Sequence, residues 1–217
     1  MTTSGSTSPA GAFVETRTQR RAAANRRIVI DAAREIIAAD GLEALTLEAV
    51  AERADVAVQT IYNRVGGRSA LLTAVAERAM EENRVYMDAA YSAEGSVEER
   101  LLRAAAEYVR FARERPHEFR ILANPPDEPQ ALERIVALTR EQNGKLANIL
   151  RDGIAVGTGR PDLDPDRVAT ALWASLNGLL ALTWRTDSLR VDDTDMDTLV
   201  ATFVATVSDG LRTRSPR

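Results

Sequence analysis

Residues 46–72 read TLEAVAERADVAVQTIYNRVGGRSALL, and their spacing governs the reading of the remaining chain. Thr46 is placed to cap a short helix that carries Leu47, Val50 and Ala51. Asp55 and Val56 mark a tight break, a second short helix runs from about Val58 to Val65, and the Gly66-Gly67 pair ends it. Two short helices joined by a turn of about three to four residues form a helix-turn-helix, which stands its second helix out for a DNA major groove. Val50, Ala51, Val56 and Ile61 are small or branched, as a steep crossing of the two helices requires.

Outward from this stretch the chain is helical throughout. Val29, Ala33, Ile36 and Ile37 make one apolar stripe on a first helix that Gly41 is placed to stop. A long helix follows from a cap at Ser69 toward Tyr91, and another runs from Val97 to about Arg115 before Pro116 breaks it. Asn124 to Pro129 is a loop by composition, and an amphipathic helix extends from Ala131 to about Val156. Asp164-Pro165 opens a helix that is apolar on nearly every face, so it must be covered on every face. The last helix carries Met196, Leu199, Val200, Phe203, Val204, Val207 and Leu211. No stretch shows the sustained alternation of a strand, and the fold class is all-α.

Composition removes several chemistries. The 217 residues include no cysteine and one histidine, His117, which excludes disulfides, thiolate nucleophiles and multi-histidine metal cages. Neither a metal nor another cofactor is expected. Adjacent acids such as Glu81/Glu82, Glu98/Glu99 and Asp192/Asp193 point apart on a helix and read as solvated surface. Residues 1–16 are rich in Ser, Thr, Gly and Ala and lack a basic and a long apolar region, so a disordered tail is expected there and no secretory signal. With no apolar run of the roughly 20 residues a bilayer needs, the expectation is a cytoplasmic protein without a membrane partner. The net charge of −4 argues against nucleic acid only when taken as one number. Residues 1–72 hold 9 Arg against 8 acids, and Arg17, Arg20, Arg21, Arg26 and Arg27 fall within eleven residues that contain no acid.

The string from Val56 to Leu72 resembles the signature of TetR-family transcriptional regulators, as do Ile30 to Ile37, Asp40-Gly41 and Leu45-Thr46-Leu47 upstream. The resemblance is specific over about residues 26–72, and beyond that only the helical architecture matches. It implies a helix-turn-helix DNA-binding domain over residues 17–67 and an effector-binding and dimerisation domain over 68–217. It further implies that Gln59 and Asn63 read base edges, where amides can pair with adenine. Thr60 and Tyr62 match phosphate-holding positions, and Arg68 matches a phosphate contact at a helix start. Arg64 can reach a guanine or a phosphate, Thr46 can meet the backbone beside its capping role, and Arg26 belongs to the cationic entry to the first helix. Ala57 departs from the family's common capping Ser, at a cost of roughly 1 kcal/mol.

A small apolar or amphipathic effector is expected in the C-terminal domain, with Tyr108, Phe111, Phe119 and Trp173 as candidate lining residues. The helices over 165–185 and 195–211 are expected to form a homodimer interface. The function so implied is a repressor released from a near-palindromic operator by a small molecule. Two alternatives compete with it: a helical-bundle enzyme using His117 with carboxylates, and a protein–protein adaptor that does not read DNA.

Overall fold

The structure, a computed structural model, describes residues 16–125 and 127–213; of the tail expected over 1–16, only Thr16 falls within them. Among these residues the chain forms nine α-helices and no strand. Helix α1 (Arg17–Asp40) is opened by a reciprocal cap: Thr16 Oγ1 accepts from the Gln19 amide at 3.2 Å, and Gln19 Oε1 accepts from the Thr16 amide at 2.8 Å. Such a box ties up two backbone donors that would otherwise lack partners, and so holds a helix start crowded with arginines. Gly41, at φ 85°, closes the helix by donating to Ile37 O.

A 3-10 turn (Leu42–Ala44) leads into α2 (Leu47–Arg53) and α3 (Val58–Arg64). Val29, Ala33 and Ile36 of α1, Val50 and Ala51 of α2 and Ile61 of α3 form their common core. The first turns of α4 (Arg68–Tyr91) complete it through Leu71, Leu72 and Val75. Gly67 is the N-cap of α4, so Ser69 lies inside its first turn and is not the cap. Ile121 and Ile135, from much later in the chain, also enter this core. The core of the N-terminal helices thus extends beyond residue 67 into α4, α6 and α7.

The body of the molecule consists of α5 (Val97–Glu114), α6 (Pro116–Ala123), α7 (Pro129–Ala155), α8 (Pro165–Ala181) and α9 (Asp193–Leu211), packed around α4. Pro116 both stops α5 and, at the first turn where no amide partner is needed, opens α6. Helix α8 ends four residues before the expected 185, in a 3-10 turn at Leu182–Trp184. Three ion pairs fix the register of α4 against α7: Glu77 with Arg134 at 2.7 Å, Arg84 with Glu141 at 2.6 Å and Asp88 with Lys145 at 2.7 Å. Their order ascends on both helices, so α4 and α7 run parallel. Helix α5 returns antiparallel to α4, with Tyr86 against Phe111 near one end and Tyr91 O accepting from Arg100 at the other. No helix among the described residues is long and apolar enough to cross a membrane.

Candidate functional site

The outer face of α3 follows from how its inner face is anchored. Ile61 is fully buried, and on a helix of this length that turns Gln59, Tyr62, Asn63 and Arg64 outward; all four are exposed, Tyr62 by 53%. Gln59 Nε2 donates to Asn63 Oδ1 at 3.2 Å, so the two amides one turn apart form a pre-aligned pair. Thr60 is half-buried, and its amide donates to Ala57 O. Ala57 offers no side-chain cap, as its residue type dictates. The turn holds α3 by backbone instead: Val56 N–H donates to Ala51 O at 3.0 Å, and Asp55 adopts φ 49°, a left-handed conformation that a short polar side chain tolerates. On the other side Gly66, at φ 115°, fixes the exit to α4; a Cβ there would lie 2.8 Å from that of Ala70.

Thr46 caps α2, its Oγ1 accepting from the Ala49 amide at 3.1 Å. Gly67 leaves the first amides of α4 without a side-chain acceptor, and no acid stands in that turn. The Arg68 guanidinium does not point freely outward. Its Nη1 donates to Glu128 at 2.7 Å and its Nε to Leu45 O at 3.1 Å, which ties the start of α4 to the entries of α2 and α7. Arg26 is exposed and lines a groove between α1, α4 and α7 with Glu77, Arg78 and Arg134.

A second concave site lies in the body. Met87, Tyr91, Leu101, Tyr108, Leu146, Leu172, Trp173 and Phe203 line a cavity of about 60 Å³, with Asn143 and Ser208 as its polar members. Tyr108 donates to Asn177 Oδ1 at 2.7 Å. Burial pushes the phenols of Tyr91 and Tyr108 well above their ordinary value. Of the four residues expected to line a pocket, Tyr108 and Trp173 do. Phe111 and Phe119 do not: both are fully buried in an aromatic cluster where Phe111 meets Tyr86 at 5.4 Å and Phe119 meets Tyr108 at 5.5 Å and Trp184 at 5.3 Å. They support the cavity wall from behind. The sequence did carry a sign of the missed Ser208, a lone polar residue continuing the four-residue spacing of Met196, Val200 and Val204.

Residues 29–75 match the family model described as bacterial regulatory proteins, tetR family, and residues 101–207 match the tetracyclin repressor-like C-terminal domain. The chain belongs to the TetR family. This TetR-family chain is thus a helix-turn-helix, DNA-binding transcriptional regulator, as the string at Val56 to Leu72 implied. Solved structures share the fold. FadR from Bacillus subtilis in complex with stearoyl-CoA superposes with a TM-score of 0.73 at 18% identity, over 85% of this chain and 98% of that one. The fatty acid degradation regulator FadR from Bacillus halodurans gives 0.72 at 19%, over 88% and 97%. A protein of unknown function from Rhodococcus sp. RHA1 gives 0.72 at 23%, over 87% and 96%. No curated protein sequence matches the chain.

A charged junction in this TetR-family regulator joins α1, α4 and α6. Arg34 of α1 pairs with Glu82 of α4 at 2.9 Å and with Glu118 of α6, and Glu82 also meets Arg78 and Arg115 at 3.4 Å each. Glu118 is only 8% exposed. Burial opposes the Arg34 charge, but the hydrogen bond and charge of Glu118, with Glu82 and Asp31, more than offset it and raise its pKa. His117, the centre of the competing enzyme reading, stands half-buried in the first turn of α6. Among the described residues no group of three or more acids and histidines is arranged to hold a metal.

Proposed function

We propose that this regulator is a homodimeric repressor that occupies a near-palindromic operator and leaves it when a small molecule enters the body cavity. The observation that carries the reading is the outward face of α3, where Gln59, Tyr62, Asn63 and Arg64 are all exposed around a buried Ile61. Gln59 and Asn63 serve base readout, while Thr60, Tyr62, Arg64 and the open amide end of α4 hold phosphates. Arg68 acts on DNA chiefly by fixing the start of α4, because its guanidinium is committed to Glu128 and Leu45. Thr46 remains a backbone contact in addition to a cap. Arg26, with Arg17, Arg20, Arg21 and Arg27, adds a long-range attraction along the α1 arm.

The dimer reading rests on α8 and α9. Ala171, Ala174, Ser175 and Gly178 of α8 and Ala201, Thr202, Ala205 and Thr206 of α9 are exposed. The Thr202 and Thr206 hydroxyls donate at 2.8 Å to carbonyls one turn back, so this small-residue face has few unmet polar groups. A second copy packed there sets two α3 helices in successive major grooves, roughly 34–36 Å apart.

Fluorescence anisotropy with DNA from the gene's own upstream region, against scrambled DNA, tests the reading. Specific binding should fall steeply with salt, and Gln59→Ala should change which bases are preferred, whereas Arg64→Ala should lower affinity across sequences. Equal affinity for scrambled DNA would favour the adaptor alternative.

A further inference from the structure

The body cavity does not stand alone. A larger cleft of about 580 Å³ opens at the end of the body farthest along α4, where the starts of α5 and α8 meet the ends of α7 and α9. Leu101 and Ser208 line both spaces, so the two compartments abut across these side chains. Ser208 is 6% exposed, and among the described residues its Oγ has no hydrogen-bond partner, which leaves an unmatched hydroxyl at the waist between them. The compartments also differ in chemistry. The inner one is walled by aromatic and aliphatic residues. The outer has an apolar floor, with Leu150, Ile154 and Val168, and a polar rim with Thr158, Arg160 and Arg212. Thr213 builds part of that rim, its Oγ1 within hydrogen-bond distance of Gly157 O at 3.0 Å and Gly159 O at 2.9 Å.

We propose that the two compartments form one binding channel for an unbranched long-chain amphiphile with an anionic head. This deepens the effector reading above and rests on it. The inner space of about 60 Å³ is narrow and walled by aliphatic and aromatic side chains, which suits the end of an alkyl chain. The remainder of the chain lies on the apolar floor outside, past Ser208 at the waist. The rim selects the head. Two arginines, Arg160 and Arg212, stand on the rim beside Glu98, with the charge of Asp209 also acting on Arg212. Arg160 is already held by Asp162, but among the described residues the Arg212 guanidinium meets Glu98 through Nη2 alone, which leaves Nε and Nη1 to donate to a carboxylate.

Full-length protein carrying Trp184→Phe retains Trp173 as its one tryptophan, a reporter inside the inner compartment. It is titrated with octanoate, decanoate and dodecanoate below their micelle concentrations, then with dodecanol and dodecyltrimethylammonium. Trp173 emission should change, with affinity rising about fourfold per added methylene. Dodecanoate should bind at least tenfold tighter than dodecanol, and the ammonium weakest. Arg212→Gln, on an exposed side chain, should abolish the preference for acid over alcohol. Affinity independent of chain length, or equal binding of the ammonium, overturns the proposal, as does an unaltered acid preference in Arg212→Gln. None of these readouts involves DNA. A silent Trp173 in a protein that still binds its operator defeats the channel alone, and ligand binding without operator binding defeats the regulator reading alone.

Discussion

Tyr108 and Gln59 mark the extremes of what a single residue discloses about its role. Gln59 stands on a short helix whose inner face is fixed by Ile61, so its outward direction follows from spacing alone. The direction of Tyr108 depends on partners far away in the sequence: Asn177, which accepts from its hydroxyl, and Phe119, 5.5 Å from its ring. Phe111 and Phe119 share its residue class and neighbourhood but sit behind the wall, and apolar periodicity has no means to separate wall from backing. Burial leaves a measurable trace. It raises Tyr91 and Tyr108, and a hydrogen bond to Glu114 followed by burial raises Tyr86. A phenol whose folded pKa exceeds its ordinary value near 10 resists ionisation, so the associated stability is intact below pH ~10 and is lost as pH rises beyond it. Ultraviolet titration near pH 11 should show fewer phenolates in the native chain than the four that a denatured sample develops. Four native phenolates at that pH, with helicity retained, would refute the burial of these rings.

At the scale of elements, the junction of α1, α4 and α6 joins recognition to the body. Arg34 and Glu118 stand 84 residues apart, and their pairing makes α6 a lever on the helix that carries the DNA-binding core. Arg34→Met alone leaves Glu118 buried with a charge and no partner, and should cost roughly 2–4 kcal/mol, below the range for fully buried pairs because some water reaches this one. The double variant Arg34→Met/Glu118→Leu should recover most of that loss, since two apolar groups need no partner. Its operator affinity should persist while effector-induced release weakens several-fold. Thermal melts give the first comparison and anisotropy with and without effector the second; undiminished release in the double variant would remove the junction from the coupling path. The starts of α2 and α8 are legible because Thr46 and Asp164 cap through their own side chains. The start of α4 is not, since Gly67 caps without a side chain and a serine two residues on suggests otherwise. Arg68 illustrates the same limit: its motif position is local, but Glu128, which holds it, is 60 residues away.

For the whole molecule, the balance of apolar surface between one copy and two decides the assembly. Helix α8 is apolar on nearly every face, yet within one chain it buries only Ala169, Leu176 and Leu180. The excess visible in the sequence therefore reappears as the exposed face of small residues on α8 and α9. Gly178 allows a clean test of what covers that face. A Cβ at this position meets nothing within 4 Å, so Gly178→Arg is accommodated by the single chain. Removing a glycine from a helix interior should even stabilise α8, by up to ~1 kcal/mol. Across a two-fold axis the same substitution sets two buried cations face to face, which a packed interface cannot solvate. Sedimentation velocity should then show a dimer in the parent and a monomer in the variant, with helicity unchanged. Operator affinity should fall by about 10²-fold or more, because each half-site is held by a separate molecule once the link is lost. A variant that stays dimeric and melts higher would place the interface elsewhere on the body, and the near-palindromic spacing argued from α8 and α9 would lose its geometric basis.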